Sequence, residues 1–421
     1  MSASAACPHA ASAKEPSFFD PAIQQYPFDH YRTLRQEKPV CWVDELNCFM
    51  VTTYELISAV IRDTDTYSSL GTQDMIVNES VADEIRRIRA SGYPVVPFLA
   101  TNDPPDHGVY RRLVMQLFSP RRMRGMQESV DRLVETLFRP LAEAGGGDFM
   151  KGFATPLPVM VIAELLGVPA AMWPTFRAWG DAYVAPMNGV ISPEREVECA
   201  QLGRDYQDYF IKAMEERRAR PRDDLITELV LTPIPGEDRT MNVPELLSAT
   251  QQFLVAGGET TTYALGNGIL ILAQQPALAA ELRANPDRVP AFVEEVLRTR
   301  SPTQCIYRRV SRDTELNGVK IPKGSFVNVR LGAGNRDETV FTDPEAFDTA
   351  RKNVTRHLAF GGGIHTCMGA TLARMELTAA FARILAEVDV RIDEAAGGCA
   401  YFPSVFFMGL EHLHVSLAPI R

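Results

Sequence analysis

Residues Pro244 to Gln275 keep a helical pattern for 32 positions. At 1.5 Å per residue such a helix is about 48 Å long, enough to cross a whole domain. Pro244 suits a first helical turn, and Pro276 closes the pattern. A chain with such an element has to pack around it. The middle of the helix is odd for a purely structural element: it reads Ala256-Gly257-Gly258-Glu259-Thr260. Two adjacent glycines weaken a helix by about 1 kcal/mol each relative to alanine. An acid and a hydroxyl follow, between apolar runs at Phe253-Leu254-Val255 and Tyr263-Ala264-Leu265. A kinked, buried helix with a chance polar pair is one reading. A helix shaped for chemistry is the other: Glu259 can relay protons inward, and Thr260 can hold a water or bond the carbonyl of Ala256. On this reading the glycines leave room for a small ligand.

A second segment, Phe360-Gly361-Gly362-Gly363-Ile364-His365-Thr366-Cys367-Met368-Gly369, places one cysteine between a glycine-rich loop and a helical pattern. The glycines permit tight turns that a Cβ would forbid. Backbone N–H groups and the positive helix end favour a thiolate there. A thiolate in such a loop suits an axial position on haem iron. Phe360 can shield the sulfur, His365 can meet a haem propionate, and Gly369 keeps the first turn free of a side chain. The alternative for Cys367 alone is an inert core thiol.

The order and spacing of these segments resemble the cytochrome P450 superfamily, the haem-thiolate monooxygenases. The resemblance rests on Phe360, Gly363, His365, Cys367 and Gly369, and on Glu259-Thr260 as an acid–alcohol pair. It implies a mainly α fold with a small β region: a triangular helical prism with haem b, held non-covalently, between the long central helix and the cysteine loop. It spans roughly residues 20–421 as one haem domain, with residues 1–19 expected to be a disordered tail. Glu295 and Arg298, spaced i, i+3 on one helix face, match a buried structural pair, with Arg351 or Arg356 as its third member. Propionate ligands are expected at His107 and Arg111, which share a helix face at i, i+4, and at Arg308 and His365. The implied pocket walls are about Met75 to Leu99, Tyr183 to Val190, Phe253 with Ala256, Thr303 to Ile306, and Val405 to Phe407. Phe253, Ile306, Val405, Phe406 and Phe407 make that pocket apolar, and Thr303 and Gln304 are placed to orient one polar group.

Composition agrees. A hydrophobic fraction of 46% supports one large core, and a net charge of −10 argues against nucleic acid. The seven cysteines show no CxxC or CxxCH spacing, which suggests a reducing compartment. Residues Met1 to Pro16 lack an apolar core segment and flanking positive charge, so neither a signal peptide nor a membrane anchor is expected. Cys7-Pro8-His9 is read as part of the tail. The expectation is a cytoplasmic monomer. It oxidises a hydrophobic small molecule with O2, using electrons from a ferredoxin-type donor and its reductase. Arg111, Arg112, Arg121, Arg122, Lys352 and Arg356 are the expected basic docking face for that donor. A peroxide-driven haem-thiolate enzyme and a non-catalytic haem or gas-binding protein are the other function classes. The first of these lacks the acid–alcohol pair, and the second has no need of it.

Strands are expected in a hairpin over Val40 to Thr53 turning at Asn47, and at Thr314 to Val319, Phe326 to Leu331 and His412 to Leu417. A helix is expected over Tyr54 to Arg62.

Overall fold

The computed structural model describes residues 16–72, 79–187 and 191–420. Cys7-Pro8-His9 and two stretches of the expected pocket walls, 75–78 and 188–190, lie outside the described residues. Helices dominate. Those that carry the argument are α1 (Asp106–Leu117), α2 (Pro156–Leu166), α3 (Trp173–Val184), α4 (Val243–Gln274), α5 (Val289–Thr299) and α6 (Ala370–Glu387).

Helix α4 is the long element read from the sequence, displaced by one residue. Its start is fixed by a reciprocal cap: the Asn242 side chain accepts from the Glu245 amide, and Glu245 accepts from the Asn242 amide. Its end is set by Pro276, which opens the next helix. Twenty-two of its 32 residues are buried, so it runs through the core and not over it. Against it pack α2, α3 and α6. The main core includes Phe153, Leu157, Val161, Leu265, Ile269, Val293, Leu297, Leu377 and Phe381. Each such side chain contributes about 1.5–3 kcal/mol by leaving water.

The expected hairpin is β1 (Val40–Val43) and β2 (Cys48–Val51), with Asn47 in the left-handed region at φ 48°. With β3 (Tyr67–Ser68), β4 (Ile306–Val310) and β5 (Phe326–Val329) they form a sheet ordered β1-β2-β5-β4-β3. The β2–β5 pairing is parallel and the others are antiparallel. A second sheet joins Gly146–Asp148, Val388–Ile392 and Cys399–Tyr401 to Leu410–Pro419. The piece expected as one strand from Thr314 to Val319 is a two-stranded hairpin, Thr314–Leu316 with Val319–Ile321. Asn317 and Gly318 both have positive φ, 49° and 78°, so the chain reverses there. Tyr54–Arg62 is helical as expected.

Packed structure starts before residue 20, where the sequence reading ended its tail. Phe18 is buried against the His30 ring, 4.9 Å away, and lies under the Arg330 guanidinium at 5.1 Å. Among the described residues no helix is long and apolar enough to cross a membrane.

Candidate functional site

The cysteine loop is a tight backbone structure. The Cys367 amide donates to the Phe360 carbonyl at 2.9 Å, and the Gly361 amide to Leu358 at 2.8 Å. Gly363 sits at φ 62°, and a Cβ on it would lie 2.9 Å from the Ile61 carbonyl, so both conformation and space demand glycine. Cys367 is solvent-accessible, yet its sulfur sits deep among protein atoms. That combination marks the wall of a cleft and not an outer surface. Burial pushes the thiol above its ordinary range, while the amides of Gly369 and Ala370 and the charges of Arg111 and Arg374 pull the other way. The amides and charges only partly offset burial. A coordinating metal would supply the rest, because a metal-bound thiol deprotonates.

Beside the loop, nitrogen donors converge from three elements. His107 on α1 lies 4.3 Å from the His365 ring, centroid to centroid. Arg308 on β4 is 4% exposed, and among the described residues its Nε has no hydrogen-bond partner; neither has Nε2 of the buried His107. Arg111, one turn beyond His107, donates to the Thr366 carbonyl at 2.8 Å. The group holds its own protons poorly. Burial, followed by the charges of Arg308, His107 and Arg111, lowers His365 to about 3. Burial lowers Arg308 to about 10. Desolvated donors with orphaned nitrogens, two of them arginine guanidinium groups, call for an anion. The two carboxylates of a haem fit them, and the accessible thiol of Cys367 fits its iron. All four expected propionate ligands are thus brought together, along with Ser69, whose hydroxyl is 3.2 Å from His365 Nε2. Asp103 anchors this corner by accepting from the Ser69 amide at 2.9 Å.

The middle of α4 divides its polar pair between two sides. Ala256 is exposed and Thr260 half-buried, and the Thr260 hydroxyl donates to the Ala256 carbonyl at 2.9 Å. Glu259 is buried and turned toward α3. There it meets Arg177 Nη1 at 3.1 Å, and it accepts from the Tyr263 hydroxyl at 2.5 Å. Arg177 also binds Asp181, at 2.7 Å. Burial raises Glu259 above the usual carboxylate range and Asp181 adds to this, against the pull of Arg177 and Tyr263. Its proton affinity thus sits closer to neutrality, where a relay works best. The adjacent glycines need a correction. A Cβ on Gly257 would lie 2.5 Å from the Ile162 side chain of α2, and one on Gly258 3.5 Å from Val159. Gly257 lets α2 press against α4. Ala256, not the glycine pair, faces the open side.

Glu295 and Arg298 form a fully buried pair on α5, with Nη2–Oε1 and Nε–Oε2 both at 2.7 Å. The third member is Arg351, 3.2 Å from Glu295; Arg356 stacks on Tyr54 instead. Sequence reasoning missed the neighbouring Glu294. It accepts from Arg374 at 2.6 and 2.9 Å and lies 3.2 Å from His357 Nε2. The Arg374 guanidinium in turn covers the Phe360 ring at 4.5 Å. Phe360 is therefore clamped from behind by a cation that also faces Cys367. Glu294 stands beside Glu295 in the sequence, but nothing in their spacing shows that the two acids face different partners.

Of the expected wall residues, Phe253 packs on Phe118, and Phe406 stacks with Tyr307. Thr303 bridges to the backbone of Phe407. Val405 and Ile306 are half-buried. Gln304 is a correction: it is 3% exposed, and its amide nitrogen donates to the Ser301 carbonyl at 2.6 Å. It lies beneath the wall, beside Gly332 and Met408. On the expected docking face Arg112, Arg121, Lys352 and Arg356 are exposed. Arg122 is not free, since it pairs with Glu228 at 2.5 Å.

The chain is similar to proteins of one family. The family model for cytochrome P450 matches residues 190–404. Cytochrome P450 107B1 of Saccharopolyspora erythraea is 34% identical over 94% of this chain and 96% of its own length. The 6-deoxyerythronolide B hydroxylase of the same organism is 34% identical over 92% of this chain and 96% of its own. The solved structure of cytochrome P450 CYP109Q5 from Chondromyces apiculatus superposes with a TM-score of 0.84. It has 30% identity and covers 96% of this chain and 98% of that one.

Proposed function

The chain belongs to the cytochrome P450 family, and from that premise we propose a haem-thiolate monooxygenase that inserts one atom of O2 into a C–H bond of a hydrophobic small molecule. The observation that carries the reading is the split pair on α4. The Thr260 hydroxyl opens on the cleft, and the Glu259 carboxyl stands behind it with a raised proton affinity. A haem gas carrier has no use for such a pair, and a peroxide-driven enzyme does without it.

Haem b, when bound, supplies an iron that takes up and reductively cleaves dioxygen. The rest falls to the chain. Cys367 ligates the metal and donates electron density through sulfur. Phe360 keeps water from that sulfur. His107, Arg111, Arg308 and His365 hold the propionates and thereby fix the ring. Glu259 passes protons inward from the Arg177–Asp181 end of α3. Thr260 presents a hydroxyl on the cleft side to orient the last proton donor. Phe253, Ala256, Ile306, Val405 and Phe406 exclude water around the substrate, with Thr303 as the polar group among them.

Residues 20–421 act as one haem domain, joined by the few ordered residues before them, in a cytoplasmic monomer. The donor is an acidic ferredoxin with its reductase, meeting Arg112, Arg121, Lys352 and Arg356. A 34% identical relative is named 6-deoxyerythronolide B hydroxylase, which supports hydroxylation as the reaction type. The test is Thr260→Ala assayed with ferredoxin, reductase and NAD(P)H. Reducing equivalents should still be consumed while product per equivalent falls. Intact coupling in the variant, or wild-type product with peroxide alone and none with the donor chain, rejects the proposal.

A further inference from the structure

Glu259 has a second partner that its helix supplies. Tyr263, one turn on, is 4% exposed, and its hydroxyl donates to Glu259 Oε2 at 2.5 Å. The other oxygen, Oε1, meets Arg177. The carboxyl is thus held at both oxygens, from α4 and from α3. The ionisable groups facing it are Arg177 and Asp181 from α3 and Tyr263 from α4 itself. Asp181 is the member with solvent access, its side chain being 36% exposed.

The Tyr263 ring reaches in another direction. It packs on Phe402 at 5.2 Å and on Phe407 at 5.6 Å. Gly409 lies flat against the same ring, where a Cβ would collide with it. Phe407 touches Phe406, 4.6 Å away. One tyrosine therefore spans the gap between the aromatic wall at 402–407 and the buried acid. A phenylalanine would fill the same apolar space among Phe402, Phe407 and Val184. Packing alone does not account for the hydroxyl, whose hydrogen-bond partner among the described residues is the Glu259 carboxyl.

We propose that Tyr263 is a positioning residue for the proton-relay acid: its hydroxyl fixes the Glu259 carboxyl in place, and its ring seats that contact on the 402–407 wall. This rests on the monooxygenase reading for its consequence but not for its geometry. The phenol stays protonated, because burial and then the charge of Glu259 raise it far above its ordinary value. It is a fixed donor, and a hydrogen bond donated to a carboxylate favours the ionised form. Removing the hydroxyl therefore raises the proton affinity of Glu259 and frees one of its oxygens.

The experiment uses the full chain with haem loaded. Infrared difference spectra, recorded across pH, identify the carboxylic C=O band that Glu259→Gln abolishes. In Tyr263→Phe the titration midpoint of that band should move to higher pH and its frequency should rise as the hydrogen bond is lost. Phe402→Ala, which loosens the ring seat, should move the midpoint the same way by less. Product per NAD(P)H should fall in Tyr263→Phe with substrate KM little changed. An unmoved midpoint and frequency in Tyr263→Phe overturn the proposal. If Glu259→Gln itself leaves coupling intact, the relay role of the acid fails, while the infrared shift still reports on the Tyr263 contact.

Discussion

Replacing Glu295 by Gln tests how the fold reaches the cysteine loop. The substitution keeps volume but leaves Arg298 and Arg351 without their shared charge. Both partners of the Arg298–Glu295 pair are 0% exposed, so solvent cannot replace what is lost. Glu295 also accepts from the Asp348 amide at 2.9 Å. Arg298 keeps the carbonyls of Asn335, Pro344 and Ala346 and the Phe341 ring, none of which carries a charge. Breaking a buried pair on one side costs about 3–5 kcal/mol. A 421-residue chain has an unfolding entropy of about 0.9 kcal/mol per kelvin, so Tm should fall by about 3–6 °C. Differential scanning at one fixed rate measures this, with the haem-to-protein ratio recorded in parallel. The ratio should drop as well, since Asn335 to Arg351 leads directly to the loop. The control is Asp83→Asn. Asp83 and Arg86 have the same i, i+3 spacing, but their side chains are 85% and 72% exposed. An exposed pair gains little, and no Tm change is expected. A loss under about 1 °C for Glu295→Gln, or equal losses for the two variants, would refute the argument that burial sets the difference.

Further outcomes follow from the same structure. Burial alone would raise Glu294, but hydrogen bonds from Arg374 and His357, and their charges, bring it down to about 2. A depressed carboxylate stabilises the fold above its unfolded value near 4.5 and loses that contribution as pH falls toward 2. Denaturation midpoints at about pH 5 and about pH 3 should therefore differ less in Glu294→Gln than in the wild type; an equal difference would contradict the clamp. Arg112→Glu should slow reduction by an acidic ferredoxin, with the defect shrinking as salt rises. Arg122→Glu is expected to cost stability first, because Glu228 already uses that charge.

The parts legible in the sequence were those with a local cause. The hairpin turning at Asn47, the helix over Tyr54–Arg62 and the long α4 each follow from periodicity, caps and turn residues within a few positions. The cysteine loop was legible because its glycines and cysteine are contiguous. The unread parts are tertiary. Arg177 lies 82 residues before Glu259, and only the packing of α3 on α4 brings them to 3.1 Å. Nothing local to Arg374 on α6 points to Glu294 and Phe360, which lie on either side of it in the fold. Gly257 was read as room for a ligand, because a missing side chain looks alike in sequence whether a helix or a cavity fills the space. Gln304 was read as a pocket residue because the resemblance implied a wall over the whole stretch from Thr303 to Ile306. The chain's turn at Ser301 sends its amide inward instead. Phe18 shows the same limit: three residues before the helix at Pro21–Gln25, one aromatic ring finds His30 and Arg330.

We propose Cys367, as thiolate, as the metal ligand of a haem held between α4 and the loop, and the ferrous carbonyl spectrum of the purified chain decides this. The wild type should show the red-shifted Soret band of a thiolate-ligated haem, and Cys367→Ser should lose that band while other cysteine variants, such as Cys305→Ser, keep it. A wild-type spectrum without the red shift, or a red shift that survives in Cys367→Ser, would contradict the account.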